Sequence, residues 1–364
     1  MLPYLGFWVL SCFLVLLTWG EKVKKRQVYF VTSAVMVFVV LLVGLRNNSV
    51  DYYSYLEIYR SAFFENFGFP LFDRLNTSTG NEFIFASIAS ALNKFNSPFA
   101  FFLIIVGAVS VGGKFYCIFR FSPIILVSVF LALSYLILKD FSQIRVAASG
   151  SILLCSIPFV VRRQFFSFLL FVVAASGFHI FSILYLSFYF FYPLLKSKSF
   201  VWIMLLASLT FGVLGIFEKV IISNSYFLPD IVQGKVLGYY SNEDRVKPEF
   251  GGWSMLHLIL SFVAISLHTQ FLSNENIYYK GFYLSFVFGV CLYFSFLGLP
   301  NLPGRALDTF ALPSLLILMP CIIVFLKGSK KHAFMIYFLV YSALSFLLHL
   351  HLLAELSYSL GALK

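Results

Sequence analysis

The amino-acid sequence predicts an all-α, polytopic integral membrane protein, one transmembrane domain over residues 1–364. Three observations carry this prediction. Hydrophobic residues make up 60% of the chain and charged residues 11%, against roughly 25% charged in a soluble chain, and the mean hydropathy is +0.92. The 26 Lys+Arg and 15 Asp+Glu lie in short clusters between long apolar runs. Runs such as 165–195 are apolar on every face. The strands of a membrane β-barrel would alternate polar and apolar residues, so helices, which satisfy their own backbone in hydrocarbon, remain.

A crossing needs about 20 apolar residues. Taken in order, such runs fall near 4–20, 27–45, 98–118, 121–138, 144–161, 164–178, 180–195, 199–217, 253–271, 279–299, 309–326 and 333–350, which makes twelve helices. The first has no Lys or Arg ahead of it, the earliest being Lys22. It lacks the basic region of a signal peptide and is expected as a first transmembrane helix with its N-terminus outside. The run 164–195 is divided into a hairpin at Ser176–Gly177, and 82–95 (EFIFASIASALNKF) is too short to cross, so a surface or re-entrant helix is expected there. Two outer loops exceed a turn, about 46–97 and 218–252. Each is too short to bury a core of its own.

Charge chooses among the arrangements. With these choices one side collects Lys22, Lys24, Lys25, Arg26, Lys114, Arg120, Arg162, Arg163, Lys196, Lys198, Lys280, Lys327, Lys330 and Lys331 against only Glu21 and Glu275. By the positive-inside rule that side is cytoplasmic, and both chain ends are expected outside. The net charge of +11 is thus read as orientation; no aromatic-interleaved basic patch points to nucleic acid. The five cysteines sit inside apolar spans with no CxxC and no metal-ligand spacing. No metal and no cofactor is expected.

Ionisable groups at the membrane boundary are costly and usually face a cavity, so they are the candidate site residues. Most fall on the outer side. Arg46 ends the second helix and is followed by Asp51, Tyr52 and Tyr53; Glu82 opens the short helix; Gln143 and Arg145 begin the fifth; His179 tips the hairpin; Arg305 and Asp308 precede the eleventh. Singly, each has an ordinary explanation: arginines that snorkel to headgroups, a carboxylate on a helix N-terminus, a histidine at a turn. His349 and His351 lie two apart on different helix faces and are read as interfacial. Together, arginines suit a phosphate group and nearby acids suit a general base. Tyr52, Tyr53, Tyr239 and Tyr240 are candidate sugar platforms, with Arg245 beside the last two. No Walker loop, dinucleotide fingerprint or HExxH competes.

The order GLR…DYYSY, NEFIF, QIRVAASGSI, AASGFHIFSIL and GRALDTFALP resembles the EpsG-like group of Wzy-type polysaccharide polymerases, over 44–185 and again at 300–315. The resemblance implies a GT-C-like helical arrangement in the bacterial inner membrane. It implies transfer of a growing glycan from undecaprenyl diphosphate to the next lipid-linked repeat on the periplasmic side, without a nucleotide sugar. Carried over by position, the family's residues fall on Arg46, Asp51, Glu82, Ile144–Arg145, Phe178–His179 and Arg305. Val146 stands where the family often has glutamine. The expected catalytic set is Asp51, Glu82, Arg145, His179 and Arg305, with Arg46, Tyr52, Tyr53, Gln143, Tyr239, Tyr240 and Arg245 binding substrate. Asp51 or Glu82 is expected as the base. The expected partners are undecaprenyl-diphosphate-linked oligosaccharide, membrane lipids and a chain-length regulator, with no nucleic acid. An O-antigen ligase using the same donor and a lipid-linked oligosaccharide flippase are the rival readings.

Overall fold

A computed structural model describes residues 25–46, 49, 51–61, 82–223, 251–299 and 301–361. The expected first helix, 4–20, lies outside the described residues, as do Tyr239, Tyr240 and Arg245. The described residues are all helical in their regular structure, with no strand among them.

The elements are α1 Lys25–Gly44, α2 Tyr52–Ser61, α3 Phe83–Lys94, α4 Phe99–Phe121, and α5, which runs Ile125–Leu131, passes through a π-turn at Ala132–Leu136 and ends as Ile137–Ser142. After these come α6 Ile144–Val161, α7 Phe165–Ser176, α8 Ile180–Phe191, α9 Lys198–Val213, α10 Ile216–Ser223, α11 Gly252–Ser266, α12 His268–Ser273, α13 Tyr278–Ser295, α14 Leu302–Phe325 and α15 Gly328–Gly361. Four of these, α1, α4, α6 and α14, are long and apolar enough to cross a membrane, and shorter apolar helices such as α7, α8 and α9 accompany them. The chain is a membrane-embedded protein.

Lipid tails are as apolar as leucine, so helices in a membrane associate through close packing and small residues more than through a hydrophobic drive. Helix α6 is built for this. Ala147, Ala148, Ser149, Gly150 and Ser151 are buried, and α6 packs against α4, α7, α13 and α14. It is the central strut, and its first turn carries Arg145. Behind it, Gly289 of α13 lies so close to α14 that a Cβ there would come within 2.6 Å of the Ala311 nitrogen. That contact meets the π-turn Leu307–Ala311, one turn beyond Arg305.

The structure moves two expected boundaries and one charge. The predicted eleventh helix, 309–326, starts earlier, at Leu302, because Pro303 suits a first helical turn and Asn301, at φ 61°, makes the sharp entry. Arg305 and Asp308 therefore sit on the helix and not before it. The predicted 253–271 is divided at Leu267 into α11 and α12. Lys114, grouped above with the cytoplasmic charges, is buried within the bundle (2% exposed). It lies seven residues, about 10 Å, before the end of α4, and helical side chains lean toward the N-terminus. Its ammonium accordingly rises toward Ser110 and bonds to Asp140 of α5.

Candidate active site

One polar cavity of about 530 Å³ gathers side chains that are far apart in the sequence. Asp51 and Tyr55 come from the start of α2, Lys139 from the end of α5, and Gln143, Arg145 and Val146 from the start of α6. His179 comes from the α7–α8 corner, and Asn301, Gly304, Arg305 and Asp308 from the start of α14. Helix ends converge here because each charged residue was tolerated only where its element emerges from apolar packing.

Glu82 anchors one wall. Its Oε2 accepts from Arg145 Nη1 at 2.7 Å, and its Oε1 lies 3.3 Å from His179 Nδ1. Burial alone would raise this carboxyl, but the hydrogen bond from His179 and the charge of Arg145 outweigh it and bring Glu82 down to about 2. Glu82 is thus held as an anion between Arg145 and His179. The backbone holds the arrangement. The Gly177 carbonyl accepts the N–H groups of Ile84 and Phe85 at 2.9 and 3.1 Å, filling orphan donors at the N-terminus of α3. This sets the α7–α8 corner on α3 and presses His179 against Glu82. A Cβ at Gly177 would come within 2.5 Å of Ile84 Cγ1, so the close approach requires glycine.

Arg145 is further held over two aromatic faces, its guanidinium carbon 5.6 Å from the Tyr55 ring centroid and 5.7 Å from that of Phe85. Asp51 accepts from the Tyr55 hydroxyl at 3.2 Å. Burial pushes the Asp51 carboxyl up, partly offset by Tyr55 and by Arg145, Arg305 and Arg46. Three arginines thus act on a single acid. His179 is 4% exposed; burial depresses its basicity, the Glu82 bond and charge work against that, and the result is a lowered value. Its surroundings thus favour the uncharged ring.

Residues not singled out from sequence complete the site. Lys139 Nζ pairs with Asp308 Oδ2 at 2.7 Å, which brings a lysine into the cavity. The next residue, Asp140, is fully buried and bonds to Lys114 Nζ at 2.6 Å and to the Ser110 hydroxyl. The KD pair just before the α5–α6 break was the available signal, since adjacent residues at the end of a helix point to different sides. Tyr55, in the same DYYSY run as Asp51, was not among the expected site residues; its hydroxyl donates to Asp51 and it lines the cavity.

Other expectations fall elsewhere. Arg46 donates to the backbone carbonyls of Asp140 at 2.9 Å and Val43 at 3.2 Å, beside the cavity and not among its walls. Tyr52 packs edge-on against Phe99, at 5.3 Å between centroids, and Tyr53 is exposed; neither lines the cavity. Among the described residues, no three His, Cys, Asp or Glu side chains gather around a point where a metal ion would sit.

The EpsG family profile matches residues 29–360. The chain belongs to the EpsG family. Membership places it among proteins of polysaccharide polymerisation. Comparison with curated proteins and with solved structures returned no match.

Proposed function

We propose that this EpsG family member polymerises undecaprenyl-diphosphate-linked oligosaccharide repeats. It does so as a twelve-span, GT-C-like enzyme of the bacterial inner membrane with its cavity open to the periplasm. The growing glycan leaves its lipid diphosphate and is joined to the non-reducing end of the next lipid-linked repeat. One observation carries the reading: Lys139, Arg145 and Arg305 share one cavity with the acids Asp51 and Asp308, at the ends of apolar helices.

That set matches the donor. A diphosphate needs several cations, and guanidinium forks fit its oxygens two at a time. Arg145 and Arg305, with Lys139, would bear the charge that builds on the leaving group as the glycosidic bond breaks. Preorganised charge in a partly dry site is the largest source of transition-state stabilisation. The polyprenyl tail would stay among apolar helices. Asp51, hydrogen-bonded and beside three arginines, is placed to hold an acceptor sugar hydroxyl. A chain-length regulator is the proposed protein partner. A flippase would need its cations spread along a path through the bundle, and the grouping in one cavity favours an enzyme.

The test is ladder formation from purified lipid-linked repeat in proteoliposomes. Arg145→Ala and Arg305→Ala, at equal expression, are expected to abolish ladders while the protein stays folded. Near-wild-type ladders from both would overturn the diphosphate assignment.

A further inference from the structure

His179 presents two different edges. Nδ1 faces Glu82 Oε1 at 3.3 Å, while Nε2, on the far side of the ring, is buried and meets no hydrogen-bonding partner. Buried polar atoms nearly always find one, so an unmatched nitrogen on a residue that lines the cavity needs a reason. The tautomer follows from the partner. A carboxylate only accepts, so Nδ1 carries the proton, and the bond at one nitrogen fixes the state of the other. Nε2 therefore bears a lone pair. Glu82, at the head of α3, is the group that bonds the ring; the charged groups that share the cavity with it are Arg145 from α6, Arg305 and Asp308 from α14, Lys139 from α5 and Asp51 ahead of α2.

We infer that His179 Nε2 is the general base that takes the proton from the acceptor hydroxyl, with Glu82 as the positioning residue that sets its tautomer. The inference rests on the glycosyl-transfer reading above. In the step, the acceptor oxygen bonds to the anomeric carbon of the donor glycan. The bond from that carbon to the diphosphate oxygen breaks, and its electron pair leaves with the diphosphate. The hydroxyl proton passes to Nε2. The imidazolium so formed is met by the Glu82 carboxylate, and the proton then passes to the departing diphosphate or to water in the cavity. Glu82 takes the proton less readily, since the hydrogen bond from His179 and the charge of Arg145 hold its carboxyl down at about 2.

The experiment is the pH profile of ladder lengthening at saturating donor for wild type, His179→Gln, Glu82→Gln and Asp51→Asn. Gln at 179 retains an N–H for Glu82 and offers no basic nitrogen. Wild type is expected to lose rate on the acid side, with a midpoint below 6.5 because burial lowers the histidine. His179→Gln is expected to lose roughly 10²–10³-fold in kcat with donor KM within about twofold, and to lose the acid limb. Glu82→Gln removes the bond and the charge that raise His179, so its limb moves to lower pH, a shift that a merely structural role would not produce. Asp51→Asn is expected to keep the limb. An unchanged limb in His179→Gln overturns the inference, as does a limb lost in Asp51→Asn, which would make Asp51 the base. If wild type itself lengthens no lipid-linked repeat, the polymerase reading falls first; if it does and His179→Gln matches it, only the base assignment falls.

Discussion

Glu82→Gln is the most informative single change, because its cost can be worked out before it is made. The carboxyl sits at about 2 against an ordinary 4.5, and each pH unit corresponds to ~1.4 kcal/mol. The surroundings therefore favour its ionised form by about 3 kcal/mol. Removing one member of a buried ion pair gives a similar range, roughly 3–5 kcal/mol; the Arg145 side chain is 29% exposed, which puts this case at the low end. Gln keeps the shape and one acceptor, so the charge is what is lost. At ~2 °C per kcal/mol for a chain of this size, the apparent Tm in detergent at pH 7 should drop by roughly 6 °C.

The sign of the pH dependence follows. The folded-state value is depressed, so Glu82 contributes its stability above about 4.5 and loses it as pH falls toward about 2. The gap between wild type and Glu82→Gln should widen somewhat as pH falls through 6.5, because Glu82 also raises His179, and close only below about 4.5. An unchanged Tm at pH 7, or a gap that persists unaltered to pH 3, would refute the reasoning.

Three further outcomes are expected. Arg145→Lys and Arg305→Lys keep the charge and lose the planar fork; lengthening rates at saturating donor should drop roughly 10- to 100-fold, the equivalent of one charge-assisted hydrogen bond of ~1.5–3 kcal/mol. Lys114→Met alone leaves Asp140 buried and short of its partner, a loss of roughly 3–5 kcal/mol, whereas Lys114→Met with Asp140→Leu should melt within about 1 kcal/mol of wild type; equal melting of the single and double variants would refute this. Gly177→Ala drives a methyl onto Ile84 and should destabilise by ~1–3 kcal/mol, with Ile84→Ala restoring part of the loss in a double-mutant cycle.

Much of the helical layout was legible because apolar runs have a fixed cost of interruption. The ends of α6, Ile144 and Val161, fall at the limits of the predicted 144–161, since Gln143 and Arg162 are residues that hydrocarbon rejects. The start of α14 was not legible to the same degree. Hydropathy dates a helix from its first apolar run, but Pro303 and the left-handed Asn301 open it earlier among polar residues. The corner at Ser176–Gly177 was visible as a hinge. Its reason was not: the Gly177 carbonyl satisfies donors of α3, ninety residues earlier in the chain, and no local pattern records such a contact. Lys114 misled for a related cause. Counted by position along the chain it belongs with the cytoplasmic cations; counted by where its side chain reaches, it belongs to Asp140.

That last pairing bears on how the cavity exists at all before substrate arrives. Isolated charges within apolar packing would change protonation state or unfold the site. Here the anions beside the cavity have cations within reach: Glu82 has Arg145, Asp308 has Lys139, and Asp140 beneath them has Lys114. The three pairs differ in exposure. The side chains of Lys114 and Asp140 are 3% and 0% exposed, beyond the reach of a ligand, and serve as foundation. Those of Lys139 and Asp308 are 19% and 10% exposed, at the cavity wall. In the proposed reading a diphosphate would carry more negative charge than the Asp308 carboxylate, and Asp308, at 10% exposed against 7% for Glu82, is the carboxylate of the two cavity pairs that water reaches more, so this pair is the one expected to exchange partners. Arg145 keeps Glu82, which keeps His179 oriented. The donor would then be recognised by a swap that costs one partly buried ion pair, while the Glu82–His179 contact stays assembled throughout.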